Sequence, residues 1–288
     1  MLKKRIAASL IVKDGIVVQS IDFKKFLPVG KPDIAIEFLN QWGIDEIILL
    51  DISATKNNLE PNYEMIKNAA LKSHVPLTVG GGITNIDQMK ELMHCGADKI
   101  ALNHAALTNK DLISKAAHIF GDQCVVVSID AVKEDGEYKV FDYINHKVLD
   151  IPVNKIAADF QNLGAGEILI NSVDRDGSYL GYDIDLINSV CNVVTVPVIC
   201  CGGAKNAKDF IKVFNETNVS AASAANFFHF TEHSVNITKS IVKKDMDIRL
   251  ETYADYRDSS YDEDLRLNKK TDEVLENMLF IRIEKDII

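Results

Sequence analysis

The residues best suited to chemistry in this sequence stand at or just after the ends of short apolar runs. Asp130 ends the run VVVSID, and Asp176 lies in the segment VDRDG. Two glycine clusters, Gly80–Gly82 and Gly202–Gly203, follow two other apolar runs. A carboxylate can act as general acid or base, and glycine lets backbone N–H groups approach a phosphate closely. These residues predict proton transfer on a phosphorylated ligand; the alternative is that the glycines only form tight turns.

The same residues belong to an internal repeat. WGIDEIILLDI (42–52) matches LGAGEILINSV (163–173), and VPLTVGGGI (75–83) matches VPVICCGGA (196–204), both at an offset of 121. Near the N-terminus ASLIVK-DG aligns with VSIDAVKEDG at an offset of 119. Since the repeat relates the two glycine clusters, it predicts two symmetric phosphate sites and a ligand with a phosphate at each end.

The repeat also predicts the elements that position these residues. Eight apolar runs are predicted as strands: Arg5–Ile11, Glu46–Asp51, Leu77–Val79, Lys99–Asn103, Val125–Asp130, Glu167–Ser172, Val198–Cys201 and Ala221–Ala225. Stretches such as PDIAIEFLNQWG, NIDQMKELMHCG and VNKIAADFQNLG have helical spacing and end at a glycine. We therefore predict an α/β fold over residues 1–251, a (β/α)8 TIM barrel of two duplicated half-barrels with its active face at the carboxyl ends of the strands. A doubly wound open sheet is the alternative, but it does not need a twofold repeat.

The composition narrows the function classes. The 288 residues are 47% apolar and 26% charged, which is typical of a globular chain, and the net charge of -10 argues against nucleic acid or an anionic membrane as partner. There is no apolar run of about 18 residues and no secretory signal, and the five cysteines form no CxxC pair. These features predict a cytoplasmic location with reduced thiols. The histidines have no spaced partners, so neither a metal nor a cofactor is expected.

Residues 252–288 are predicted to be an acidic extension of the barrel. Residues 251–288 carry eleven acidic and six basic side chains. Thr271 is placed to cap a short helix, TDEVLENML, and the final FIRIEKDII alternates like an edge strand. The extension either folds back on the barrel, which we favour, or docks a partner.

Several longer segments carry a family resemblance. KRIAASLIVKDG, TVGGGI, VVVSIDA, GAGEILINSVDRDGSYLGYD and FFHF together resemble HisF, the cyclase subunit of imidazole glycerol phosphate synthase, over about residues 1–251. The resemblance implies a barrel that binds a HisH-like glutaminase at the amino ends of its strands. Ammonia would pass through the barrel to react with a bisphosphorylated ribulosyl carboxamide at the opposite face.

The resemblance also implies which residues bind the two phosphates. One site would use Gly82 and Asn103. The other would use Gly177, Gly203, Ala225 and Asn226, and Asp176 is kept among the residues that bind the substrate. Asn226 departs from the serine usual in the family, but it can still donate a hydrogen bond.

Two departures from the family affect the chemistry. HisF uses an aspartate at the tip of strand one and another at the tip of strand five as the acid–base pair. Asp130 is present, but the strand-one position is Ile11, and the repeat alone already equates these two positions. Gln19, in the loop after strand one, replaces a lysine that would clamp a phosphate. Loss of one acid–base group costs about 10²- to 10⁴-fold in rate.

The opposite end of the barrel keeps the family pattern. Four charged residues that gate ammonia entry in HisF are all present: Arg5, Glu46, Lys99 and Glu167. Asp98 matches a position that contacts the glutaminase. The alternative is a salt-bridge layer that only caps the core.

This combination resembles a paralogous branch, the glycosyl amidation-associated (WbuZ-like) proteins. LEPNYEMIKNAA (59–70) and Asn171, where cyclases carry threonine, add to that resemblance. It implies that ammonia passes to a sugar amidotransferase that forms acetamidino or amide sugars. Two alternatives stay open: a genuine cyclase of histidine biosynthesis, and a phosphosugar isomerase that uses Asp130 and Asp176 without a glutaminase.

Overall fold

Twelve strands form a single sheet in the part of the chain that the structure describes. A computed structural model describes residues 3–229, 233–249 and 259–276. The strands are β1 (Arg5–Lys13), β2 (Ile16–Ile21), β3 (Lys25–Gly30), β4 (Glu46–Asp51), β5 (Leu77–Gly80), β6 (Lys99–Leu102), β7 (Val125–Glu134), β8 (Glu137–Asp142), β9 (Lys147–Pro152), β10 (Glu167–Ser172), β11 (Val198–Cys201) and β12 (Ala221–Ala224).

Eight of these strands close into a parallel barrel. Around the barrel the order is β1, β4, β5, β6, β7, β10, β11 and β12, and β12 pairs with β1 again. Each of the eight therefore has a hydrogen-bonded neighbour on both sides, which removes the sheet edges. The predicted (β/α)8 barrel is confirmed, and the open-sheet alternative is wrong.

Helices follow the barrel strands. They are α1 (Pro32–Gln41), α2 (Ile52–Lys56), α3 (Tyr63–Lys72), α4 (Ile86–His94), α5 (His104–Thr108), α6 (Asp111–Phe120), α7 (Val153–Asn162), α8 (Ile184–Cys191), α9 (Ala207–Glu216), α10 (Asn226–His229), α11 (Ser234–Asp245) and α12 (Asp272–Glu276). The three predicted amphipathic helices correspond to α1, α4 and α7, and each ends just before its predicted glycine. No helix among the described residues is both long and apolar enough to cross a membrane.

The four strands β2, β3, β8 and β9, which form two antiparallel extensions of the sheet, were not predicted from the sequence. β1 and β7 continue beyond the barrel, and β2 and β3 extend β1 while β8 and β9 extend β7. Each extension turns at an Asp-Gly pair, Asp14–Gly15 and Asp135–Gly136, with positive φ at both residues. This is the type I′ turn that Asp-Gly favours. Gln19, expected in a loop, consequently lies in strand β2.

The barrel interior is arranged in layers because alternate side chains of each strand point inward. We call the amino ends of the strands the lower end and the carboxyl ends the upper end. Going upward, β1 contributes Arg5, Ala7, Ser9 and Ile11. An apolar layer lies directly above the charged lower end; its buried members are Ala7, Ile48, Ala101, Val126, Leu169, Ile199 and Ala221.

Two residues of the C-terminal extension, Tyr261 and Leu265, contact the barrel domain. The Lys244 ammonium of α11 sits over the Tyr261 ring, 5.6 Å from its centroid, and Leu265 packs against the main core. Helix α12 begins at Asp272, directly after the predicted cap Thr271. Residues 252–258 and 277–288, and with them the predicted edge strand FIRIEKDII, lie outside the described residues.

Candidate functional site

A cavity of about 310 Å³ opens at the upper end of the barrel. The upper ends of the barrel strands bring Ile11, Asn103, Asp130 and Asn171 to its wall, because each lies where the parallel pairing of its strand in the barrel ends or directly after it. Asp176, from the segment after β10, also lines the cavity. The upper end therefore collects the residues predicted for proton transfer.

Asp130 is buried in the cavity wall, and both of its carboxylate oxygens accept hydrogen bonds from amides. Asn103 Nδ2 donates to Oδ2 over 2.9 Å, and Asn171 Nδ2 donates to Oδ1 over 3.2 Å. Burial raises the pKa of Asp130 to about 6, against the lowering effect of both amides. A carboxyl with this pKa can exchange a proton near neutral pH.

Ile11 occupies the position related to Asp130 by the repeat. Ile11 pairs with Leu50 on β4 in the same register in which Asp130 pairs with Asn171 on β10. Both lie in the cavity wall, but the isoleucine side chain carries no proton that could be transferred. The cavity consequently has a carboxylate on one side of the pseudo-twofold axis and a hydrocarbon on the other.

The β2–β3 hairpin is fastened over the upper end by hydrogen bonds. Asp176 Oδ2 accepts from Ser20 Oγ at 2.6 Å and from the Phe23 N–H at 3.1 Å. The Asn226 side chain accepts from the Ser20 N–H at 3.1 Å and donates to the Ser20 carbonyl at 2.6 Å. Gln19 Nε2 donates to the Tyr179 hydroxyl at 3.2 Å. Asp176 and Asn226 were expected to bind the ligand, and Gln19 stands where the family has a phosphate-binding lysine. All three side chains instead form hydrogen bonds that hold the hairpin in place.

The glycine turns lie in two separate places of the upper end. Gly82 is in the wall of the large cavity, and its N–H donates to Thr55 Oγ1 at 3.0 Å. Gly177 and Gly203 line a smaller cavity of about 30 Å³ beside it, together with Asn226. Ala225 lines both cavities.

The lower end is closed by a ring of four charged side chains. Lys99 Nζ lies 2.8 Å from Glu46 and 2.7 Å from Glu167, and Arg5 pairs with the same two carboxylates. Glu46 and Glu167 are buried, at 1% and 4% exposure. Burial lowers the pKa of Lys99, but the two carboxylates outweigh it and the pKa is raised. Burial likewise lowers the pKa of Arg5, but the same two carboxylates outweigh it and the pKa is raised, so both cations of the ring are held in their charged forms.

Asp98 lies beside the ring on the lower surface. Its side chain is exposed, and Oδ2 accepts a hydrogen bond from the Leu77 N–H at 2.8 Å. Its contact with a glutaminase stays a prediction.

Comparison with known proteins agrees with this architecture. The sequence profile of the family described as histidine biosynthesis protein matches residues 5–234. Imidazole glycerol phosphate synthase subunit HisF of Streptococcus mutans is 41% identical over 85% of this chain and 98% of its own length. The chain belongs to the HisF family.

Two further HisF-family relatives have similar coverage. The Clostridium botulinum protein named imidazole glycerol phosphate synthase subunit HisF is 42% identical over 85% of this chain and 98% of its own length. A Vibrio vulnificus protein, provisionally named imidazole glycerol phosphate synthase subunit hisF2, is 41% identical over 91% of this chain and 97% of its own length.

Some residues of the site were not identified from the sequence. Asn171 was noted as a departure, but not as a donor to Asp130; its inward position follows from the alternation Glu167, Leu169, Asn171 along β10. The contact of Thr55 with Gly82 had no sequence signal, because it depends on how α2 packs over the following glycine turn.

Proposed function

We propose that this HisF-family barrel takes ammonia from a glutaminase bound at its lower end and conducts it upward for use by a sugar amidotransferase, with its own cyclase chemistry impaired. One observation carries the proposal. The charged ring at the lower end is complete, whereas the upper end has Asp130 without a second carboxylate at the Ile11 position.

The lower end supports the part of the proposal that concerns entry. The ring closes the barrel, so passage requires one ion pair to open. Lys99 is suited to this movement because its ammonium is a point charge on a flexible stem, whereas the Arg5 guanidinium is planar and uses two nitrogens for its two partners. The exposed Asp98 beside the ring supports a glutaminase contact at the same end.

The interior supports passage of a neutral molecule. Above the ring the apolar layer contains three alanines, Ala7, Ala101 and Ala221, which leave more room than larger side chains. Uncharged ammonia crosses an apolar layer at far lower cost than ammonium. Higher up, the Ser9 and Ser223 hydroxyls lie 2.7 Å apart and offer hydrogen-bonding groups below the upper cavity.

The upper end supports use of the ammonia outside this barrel. Ring closure needs one group to take a proton and another to give one, and Ile11 can do neither. Gln19 brings no positive charge and is bonded to Tyr179. An isomerase that would use Asp130 and Asp176 is disfavoured because Oδ2 of Asp176 already accepts hydrogen bonds from Ser20 and Phe23 of the hairpin.

A cyclase of histidine biosynthesis is the second candidate. Relatives that are 41% and 42% identical carry the name imidazole glycerol phosphate synthase subunit HisF. The upper cavity of about 310 Å³ and an Asp130 with its pKa near 6 also retain one acid–base group beside a site for a ligand.

Glutamine-dependent transfer tests the conduit. The chain is combined with a HisH-type glutaminase and a sugar amidotransferase, and amidated sugar is measured with glutamine or with ammonium as nitrogen source. With glutamine, we expect amidated sugar to form only when this chain is present, and its amount to differ between Lys99→Ala and the parent. With ammonium, we expect the amount of amidated sugar to be the same for both proteins. Lys90→Ala, which removes an exposed lysine paired with Asp87, is the matched control. Failure of the glutaminase to bind, or equal transfer by Lys99→Ala and the parent, contradicts the proposal.

A further inference from the structure

A second buried ion pair lies beside the charged ring, between α11 and the turn that precedes β4. Lys239 of α11 is completely buried, at 0% exposure, and its Nζ donates to Asp45 Oδ1 and to the Gly43 carbonyl over 2.5 Å each. A buried ammonium is costly unless a carboxylate and further acceptors satisfy it. The ion pair therefore fixes α11 to the turn before β4.

Asp45 connects this ion pair to strand β1. Its Oδ2 accepts a hydrogen bond from the Ile6 N–H at 2.8 Å, and its own N–H donates to the Ile6 carbonyl at 3.1 Å. Ile6 follows Arg5 and Asp45 precedes Glu46, so the chain is held directly beside two members of the ring. Lys239 is thereby linked to the ring through a single side chain, that of Asp45.

The internal repeat shows that the related half of the ring has no such carboxylate. At the offset of 121, Asp45 corresponds to Gly166 and Glu46 corresponds to Glu167. Gly166 has no side chain, and a Cβ at this position would stand 2.1 Å from the Asp122 carbonyl oxygen. An aspartate therefore does not fit before Glu167 without movement of the backbone, whereas the one before Glu46 is bonded to a helix.

We propose that Lys239 is a positioning residue of the charged ring: through Asp45 it holds Arg5 and Glu46 in place, so that the ring opens by movement of Lys99 against a fixed pair. This inference rests on the role proposed above for the ring in ammonia entry and adds a residue to that role. The Lys99 ammonium donates to Glu46 at 2.8 Å and to Glu167 at 2.7 Å. Displacement of Glu46 consequently weakens one of the two ion pairs that hold Lys99.

Hydrogen exchange of the Lys99 ammonium with water tests the inference on the full chain. NMR of protein labelled with 15N-lysine measures this exchange, and Lys99→Arg identifies the signal by its loss. Lys239→Met keeps an unbranched side chain but leaves the Asp45 carboxylate without the ammonium, so we expect Lys99 exchange about tenfold or more faster than in the parent. The fold should survive, because Ile248, after α11, also pairs with Lys4 at the start of β1.

Two control variants separate positioning from general destabilisation. Lys244→Met makes the same substitution at an exposed position of α11, where the ammonium lies over the Tyr261 ring, and should leave Lys99 exchange unchanged. Val140→Ala shortens a buried side chain of β8 at the upper end of the barrel. It should lower the free energy of unfolding but leave Lys99 exchange as in the parent.

Asp45→Asn breaks the same link from its other side. An amide has one oxygen to accept from both Lys239 and the Ile6 N–H, so this variant should also accelerate Lys99 exchange. Unchanged exchange in either Lys239→Met or Asp45→Asn would overturn the inference, as would equal acceleration in Val140→Ala. Neither a glutaminase nor an amidotransferase takes part in this measurement, so failure of the conduit leaves its outcome unchanged and the two failures can be told apart.

Discussion

At the lower end of the barrel each charged side chain of the ring faces two partners of opposite sign, whereas at the upper end Asp130 faces two neutral amides and an isoleucine lies at the related position. Both ends bury carboxylates, yet the physical consequences differ. In the ring, each cation lies between two carboxylates, and the opposite charges offset the cost of burying one another. At Asp130 no cation offsets burial, so the group titrates close to neutral pH.

This difference separates two uses of a buried carboxylate. In the ring, buried carboxylates pair with cations and close the lower end of the barrel. The Asp130 carboxylate, which lies between two amides, can exchange a proton, but no second acid or base stands at the related position, Ile11. The barrel thus has a complete ring of ion pairs at one end and a single buried carboxylate between two amides at the other.

Breaking the ring should give the largest effect on stability. Glu46→Ala leaves Arg5 and Lys99 facing a single carboxylate, and loss of one partner from a buried ionic group costs about 3–5 kcal/mol. Urea unfolding measures this loss. Glu37→Ala is the control, because Glu37 pairs with Lys72 at the surface with both side chains 46% exposed, and we expect about 1 kcal/mol or less. Equal losses in the two variants would show that the ring is not the buried network described here.

The pH dependence of stability should reveal the lone carboxylate at the other end. Because the pKa of Asp130 is raised to about 6 in the folded state, folding binds a proton between the unfolded pKa and that value. Protonated Asp130 therefore makes its full contribution to the free energy of unfolding below about pH 4. This contribution, about 3 kcal/mol, is lost as the pH rises through about 6. Asp130→Asn removes this titration, so its unfolding free energy relative to the parent should rise between pH 4 and pH 7. A pH-independent difference between the two proteins contradicts the burial of an ionisable Asp130.

A smaller effect should follow from removing one amide of the pair. Asn171→Leu removes the donor to Asp130 Oδ1 and keeps a side chain of similar size. The pKa of Asp130 should therefore rise by about one unit. Carboxyl 13C NMR of labelled aspartate measures the titration. Asn188→Leu, on the outer helix α8, should leave it unchanged. A lowered or unchanged pKa in Asn171→Leu would mean that this amide does not stabilise the carboxylate.

Much of the barrel was predictable because its signals are local. The predicted ranges Glu46–Asp51, Glu167–Ser172 and Val198–Cys201 coincide with β4, β10 and β11, since short apolar runs with polar ends are typical of buried parallel strands. The hairpin strands have an equally local signal in their Asp-Gly turns, but β2 and β3 alternate less clearly, so the sequence predicts a loop where they lie.

The sequence predicted where the residues of the upper site lie, but not which of their hydrogen-bonding groups are already engaged. Strand alternation places Asp130, Asn103 and Gly82 at the cavity, and the repeat equates Ile11 with Asp130. Whether Gly82 or Asn226 offers a free donor depends on Thr55 and Ser20, which reach them from other elements. Contacts between residues so distant in sequence leave no periodic pattern.

The central claim, an intact lower end beneath an upper end that has lost its cyclase chemistry, is tested most directly by ammonium-dependent cyclase turnover. The parent chain and the Streptococcus mutans subunit HisF are assayed side by side with the bisphosphorylated ribulosyl carboxamide and saturating ammonium. We predict turnover by this chain at least about 10²-fold below that of the relative, because the second acid–base group is absent. Turnover within about tenfold of the relative would contradict the account and identify the chain as a working cyclase.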